Sequence, residues 1–354
     1  MNTLRSTSSL HRAAWRVLVA LAVLCLAAWT LRGQAPAPGQ LPQLLRHASG
    51  PLLLAATAFQ VPRYFGAGLL MRAYARLYGR SLSPWQASAV ALASGAAARI
   101  LPFGGAGGII VRALYLKAAG LSNAAVATYF VLQNYLGTAV LILLFALALV
   151  YQQLTLPSRA TSLDGLARPL LGLVAMVSLT VLLRQYPEQA SSVARQLGTA
   201  CDRLLGRVRR HGRPLAQALP ESVLNLGHGL AMGGLGGFLA ALFYSSWTIL
   251  GDIASFVASI AALGASVSAA QAIAAYALSS FLGSASGLPA GLGVTEGALV
   301  ALLVGFGENS TVAVGGVLVF RAISFWLPIP FGAIAGTCLR SALHAQPPSS
   351  LLQR

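Results

Sequence analysis

The sequence predicts an all-α, polytopic helical membrane protein of about 7–9 spans, each about 20 apolar residues long. Three observations predict it. Of 354 residues, 56% are hydrophobic and only 9% are charged, whereas a soluble domain carries roughly 25% charged residues. Long apolar runs recur along the chain, and the mean hydropathy is +0.73. Two glycine-rich pieces, 102–118 and 290–306, sit between longer runs and predict two broken or re-entrant helices in an internal repeat.

The apolar runs fall near 16–31, 51–71, 85–101, 123–150, 169–184, 222–245, 246–263, 268–288 and 311–339. The first carries Trp15 and Trp29 at its ends and arginines before it. A cleavable signal peptide has the same plan, but interfacial tryptophans suit a retained span. Arg5, Arg12 and Arg16 place the N-terminus in the cytoplasm, and Arg72, Arg76 and Arg80 return to that side after two crossings. The richest basic stretch, 184–214, is cytoplasmic on the same rule. Val193, Leu197, Leu204, Leu205 and Val208 recur there at helical spacing, so it reads either as a solvated loop or as a helix lying on the bilayer. The whole chain, 1–354, reads as one transmembrane domain: half one about 16–184, a basic loop about 185–220, and half two about 221–340.

The formal charge of +17 does not argue for nucleic acid, because the arginines flank apolar runs rather than covering one soluble face. Cys25, Cys201 and Cys338 show no paired spacing, and the five histidines are scattered. No metal site, cofactor or disulfide framework is expected. Without a His/carboxylate cluster or a phosphate-binding loop, enzymatic chemistry is not expected either. Small residues spaced four apart, Gly229, Gly233 and Gly237 and again Gly332 and Gly336, predict close helix contacts.

The two broken pieces read "ARILPFGGAGGIIVRALYLKAAG" (98–120) and "ASGLPAGLGVTEGALVALLVGFG" (285–307). One constant shift superposes Leu101-Pro102 on Leu288-Pro289, Gly104 on Gly291 and Gly120 on Gly307, without a gap. Proline removes a backbone donor, and glycine weakens a helix. In hydrocarbon the freed groups need protein or trapped water. Pro102, Gly104, Gly108, Pro289, Gly291, Gly293 and Gly307 are therefore the expected hinges. Paired breaks of this kind bring half-helix N-termini to an anionic group near the midplane; a pair of packing kinks is the plainer reading. The pattern is compatible with parallel and with inverted repeats.

Glu296 and Arg321 stand alone among apolar neighbours. A charge at the bilayer centre costs about 2.5–3.5 kcal/mol, so each is expected to partner the other, as a structural ion pair or as part of a polar site for a headgroup. Arg63, Arg112 and Asn134 are the further candidates for that site. Asn134 falls on Arg321 under the shift that superposes the broken pieces. Arg99, Asp252 and His228 are other polar residues inside the runs.

"PAGLGVTEGALVALLVGFG", followed by "AVGGVLVFRAISFWLPIPFGAIAG", resembles the C-terminal signature of the lysylphosphatidylglycerol synthase transmembrane-region family, also described as flippase-like. The pattern lies on Pro289, Gly291, Gly293, Glu296, Gly307 and Arg321. The upstream Pro102, Gly104, Gly108 and Arg112 resemble its first motif. Family members often place an acid shortly before that arginine, and Gly108 to Val111 supply none, which puts a shared substrate in doubt. The resemblance implies a multi-pass inner-membrane protein that moves a phospholipid or lipid-linked headgroup between leaflets. The implied partners are membrane lipids: anionic or aminoacylated phospholipid, polyprenyl-linked lipid or hopanoid. Two other functions fit the residues: an ion-coupled transporter of a small anion, and a non-transporting subunit beside a lipid- or glycan-modifying membrane enzyme. The soluble aminoacyltransferase domain of some relatives is not expected here.

Overall fold

The computed structural model describes residues 40–100, 106–155, 174, 178–205, 215–231, 233–286 and 291–345. Every regular element among them is helical. In chain order these are α1 (Gln40–Arg46), α2 (Gly50–Ala58), α3 (Gln60–Leu77), α4 (Pro84–Ile100), α5 (Ala106–Ala118), α6 (Asn123–Thr155) and α7 (Pro187–Leu205). There follow α8 (Leu215–Ala231), α9 (Gly234–Ala261), α10 (Ala269–Ala285), α11 (Val294–Gly305) and α12 (Ser310–Arg321). A π-helical turn (Ala322–Trp326) then leads into α13 (Pro328–Ala345). The expected first span and the hinge residues Pro102, Gly104 and Pro289 lie outside the described residues.

Three helical stretches are long and apolar enough to cross a membrane: Asn123–Gln152, Gly234–Ala261 and Ser310–Leu339. The protein is thus a helical membrane protein, while the count of 7–9 spans is a finer statement than these lengths establish. The runs predicted at 222–245 and 246–263 are divided elsewhere. The chain is one helix through Ser245 and Ser246, and it breaks at Gly233 and Gly234, with φ of +72° and +63°. Only glycine takes such angles without strain. The predicted single face of Gly229, Gly233 and Gly237 is therefore interrupted. Gly332 behaves as expected: a Cβ there would come within 2.7 Å of the Leu92 carbonyl oxygen on α4. Within the basic stretch, Pro187–Leu205 form helix α7, which packs against α8, with Val193 and Leu197 facing outward.

The internal repeat extends well beyond the two broken pieces. Gly79 and Gly264 both take left-handed angles, just past the ends of α3 and α9. Each precedes a helix of 17 residues, α4 or α10. Gly120 and Gly307 do the same before α6 and α12. In each half two helices fold back on one another: α5 packs on α4 and α11 on α10. The contacts are close enough that a Cβ on Gly108 would sit 2.7 Å from the Ser94 carbonyl oxygen. Each hairpin starts and ends at one level. Gly120 abuts Arg80, and Glu308 accepts hydrogen bonds from the Ser266 and Val267 amides at 2.6 and 3.2 Å.

The halves meet reciprocally. Gly66 on α3 lies against Tyr244 and Thr248 of α9, and Gly251 on α9 lies against Phe59 and Arg63 of α3. The offset that takes Gly79 to Gly264 also takes Gly66 to Gly251, Phe59 to Tyr244 and Arg63 to Thr248. Residue i therefore touches j just as the mate of i touches the mate of j. That is the signature of a two-fold relation. Along this contact α3 runs antiparallel to α9, so the halves point in opposite directions. The same exchange recurs outside: α13 packs on α4, and α6 packs on α10.

Close helix approach through glycine makes the crossing intolerant of bulk. Gly66→Val and Gly251→Val are each expected to cost about 1–3 kcal/mol, overpacking outweighing the gain in helix propensity. Reversible unfolding in detergent micelles measures this, with comparable losses expected at the two positions.

Candidate functional site

The centre of the α3–α9 crossing falls at Arg63 and Thr248. There Arg63 Nη1 pairs with Asp252 Oδ1 at 2.8 Å. Gln60, one turn before Arg63, donates to the same oxygen at 3.2 Å and accepts from Arg63 Nη1 at 2.9 Å. Tyr276 of α10 donates to Asp252 Oδ2 at 2.6 Å. A carboxylate on α9 that is only 8% exposed is therefore met by donors from both α3 and α10. Asp252, which the sequence marks merely as polar, is the hub.

The π-helical turn supplies the other side of this cluster. Four residues after Ser324 stands Pro328, which has no N–H to donate back, so the Ser324 carbonyl lacks its regular helical partner. The carbonyl oxygen of Ser324 accepts from Arg63 at 3.4 Å and from Arg99 at 2.9 Å. Arg99 also donates to the Tyr64 hydroxyl at 3.1 Å, and its guanidinium lies 5.4 Å from the Phe325 ring centroid. Among the described residues no carboxylate forms an ion pair with Arg99.

Glu296 and Arg321 do pair, with Oε1 and Nε 2.8 Å apart. The other oxygen, Oε2, accepts the Gly293 amide at 2.7 Å, so Glu296 closes the first turn of α11 from its third position. Negative charge there also suits the helix dipole. Gly291 and Gly293 take φ of +63° and +81° and shape the turn into that helix. Both Glu296 oxygens are engaged. Arg321 is not saturated among the described residues: its Nε–H is not aligned for a hydrogen bond, and buried Nη2 has no acceptor there.

The other predicted residues are placed apart. Arg112 joins the first half, donating to Ser94 Oγ at 2.7 Å and Gln133 Oε1 at 2.8 Å. Asn134 turns back on its own helix, donating to the Phe130 carbonyl at 3.0 Å on an exposed surface. Although it stands at the symmetry position of Arg321, it does not enter the cluster. His228 is exposed. The sequence pattern does not single out Gln60, Tyr64, Tyr276 or Ser324. One local signal exists for them: Gln60 stands three residues before Arg63 on a helix, a spacing that places both on one face.

The profile of the lysylphosphatidylglycerol synthase TM region matches residues 13–332 of this all-helical chain. The chain belongs to this family. No curated protein matches it. Membership makes a membrane lipid-related role the coarse functional statement.

Removing one partner of a buried pair strands the other, at about 3–5 kcal/mol, whereas replacing both with apolar groups is close to neutral. Asp252→Ala is therefore expected to lower stability sharply. Arg63→Met combined with Asp252→Leu should restore most of it in thermal unfolding of the purified protein.

Proposed function

We propose that the protein is a lipid translocator of the inner membrane, moving a phosphate-bearing lipid headgroup between leaflets without chemically converting it. The N-terminus lies in the cytoplasm, and the four helices of the two hairpins form re-entrant pairs around the headgroup path. At 13 and 12 residues, α5 and α11 are roughly 20 and 18 Å long, short of a hydrocarbon core about 30 Å thick.

The observation that carries this reading is the unsatisfied guanidinium of Arg321. An arginine fork holds phosphate oxygens in a fixed geometry, and a buried donor without an acceptor is costly until a ligand or water arrives. The balance of charge supports the same reading. Arg63, Arg99 and Arg321 face Asp252 and Glu296, leaving one positive charge to match a singly charged phosphodiester. The N-terminus of α11 adds its dipole. Acyl chains remain in the bilayer while the headgroup passes. Membrane lipids are thus the proposed partners, whether anionic, aminoacylated, polyprenyl-linked or hopanoid in the rest of their structure.

Proteoliposomes with tail-labelled phosphatidylglycerol test this through leaflet-selective bleaching. Arg321→Lys keeps the charge beside Glu296 but removes the fork. Losing one charge-assisted contact of about 1.5–3 kcal/mol predicts translocation slowed about 10–100-fold, with unfolding temperature unchanged. No lipid movement, combined with uptake of aqueous phosphate, would transfer the site to a small-anion transporter.

A further inference from the structure

A cleft of about 240 Å³ opens between α3, α6, α8 and α9, lined by Leu70, Tyr74, Arg76, Gln133, Gly237 and Tyr244 among others. It lies about seven residues along α3 from Arg63, roughly 10 Å at the helical rise. Arg76 is exposed, and Gln133 on the wall accepts from Arg112 at 2.8 Å. A lipid headgroup bearing phosphate meets cations both at the mouth and behind the wall.

The two-fold relation assigns every part of this cleft a counterpart. Leu70 and Tyr74 correspond to Ser255 and Ser259 at the offset of Gly79 and Gly264, and Gln133 corresponds to Phe320 at that of Gly120 and Gly307. Gly229, which also lines the cleft, corresponds to Leu44. Contacts bear the correspondence out. Gly229 lies against Thr128, and Leu44 lies against Gly315, the mate of Thr128.

The counterparts of Leu70, Tyr74 and Gln133 are closed off, although those of Gly237 and Tyr244, Leu52 and Phe59, are exposed. Ser255 and Ser259 have no exposure and Phe320 has 3%, and a Cβ on Gly316 would come within 2.7 Å of Ile260. Yet its lining is partly polar, and the Ser255 hydroxyl is buried with no hydrogen-bond partner among the described residues. A sealed apolar contact has no use for such a group, which costs about 1–3 kcal/mol when left unpaired. A face that fills with water in another state does.

From this pairing we propose that the α3–α6–α8–α9 cleft is the loading vestibule for the phosphate-bearing headgroup on one side of the membrane. The sealed face around Ser255 and Ser259 is the release vestibule on the other, opening as α12 parts from α9. The cargo rests on the function proposed above; the alternation rests on the symmetry alone. Inverted halves that exchange conformations produce such a switch about a fixed central site, here Arg63–Asp252.

Two measurements test it in proteoliposomes after Cys25, Cys201 and Cys338 are replaced. Ser259→Cys should react with a membrane-impermeant maleimide from the side opposite Gly237→Cys, and faster with phosphatidylglycerol present than in zwitterionic lipid alone. Gly316→Cys with Ile260→Cys, oxidised to a disulfide, should reduce translocation to the protein-free background, and reductant should restore it. Full protection of Ser259→Cys in every lipid, or wild-type translocation by the oxidised pair, overturns the proposal. If no lipid moves in the unmodified protein but Ser259→Cys still labels from the opposite side, the alternation stands and the lipid cargo is rejected.

Discussion

The Arg63–Asp252 ion pair at the α3–α9 crossing is the interaction around which the other features arrange themselves. Charges in an apolar medium survive only when opposed and hydrogen-bonded. The pair requires Gln60 beside it, Tyr276 from α10 and the Ser324 carbonyl from the π-helical turn. Those partners draw α3, α9, α10 and the final helical stretch to one point. The close approach is permitted by Gly66 and Gly251, whose missing side chains let the two backbones touch.

The backbone is close to two-fold symmetric, but the chemistry is not. Arg63 corresponds to Thr248, Asp252 to Ala67, Arg112 to Leu299 and Arg321 to Asn134 at the repeat offsets. The repeated shape thus supplies two hairpins, four left-handed glycine turns and two exchanged outer helices, while the ionic groups have no ionic counterparts across it. Under the proposed function, a symmetric scaffold would let the same motion expose either membrane face, and asymmetric charge would let one central site serve both.

Legibility in the sequence followed the number of competitors. Glu296 and Arg321 were readable as partners because few other charges lie near them. Gly120 and Gly307 were readable as a matched pair because one offset carries through the break and the second hairpin arm. Before the hairpin loop the offset is slightly shorter. The match of Ser81-Leu82-Ser83 with Ser266-Val267-Ser268, and of Gln86-Ala87 with Gln271-Ala272, is therefore hidden from a single constant shift. The Arg63–Asp252 pairing joins opposite halves of the chain, and no local spacing announces it. Ser324 contributes a backbone oxygen, which side-chain reasoning does not search for. Asn134 failed to join the site because its amide finds a nearer acceptor one turn back on its own helix.

Opposed direction of the two halves is the claim on which the rest stands, and sidedness of their equivalent turns measures it most directly. Ser122 follows Gly120, and Asn309 follows Gly307, at the same place in each half. With single cysteines at these positions and an impermeant thiol reagent applied to intact and inverted vesicles, the account predicts labelling from opposite sides. Labelling of both from the same side would contradict it.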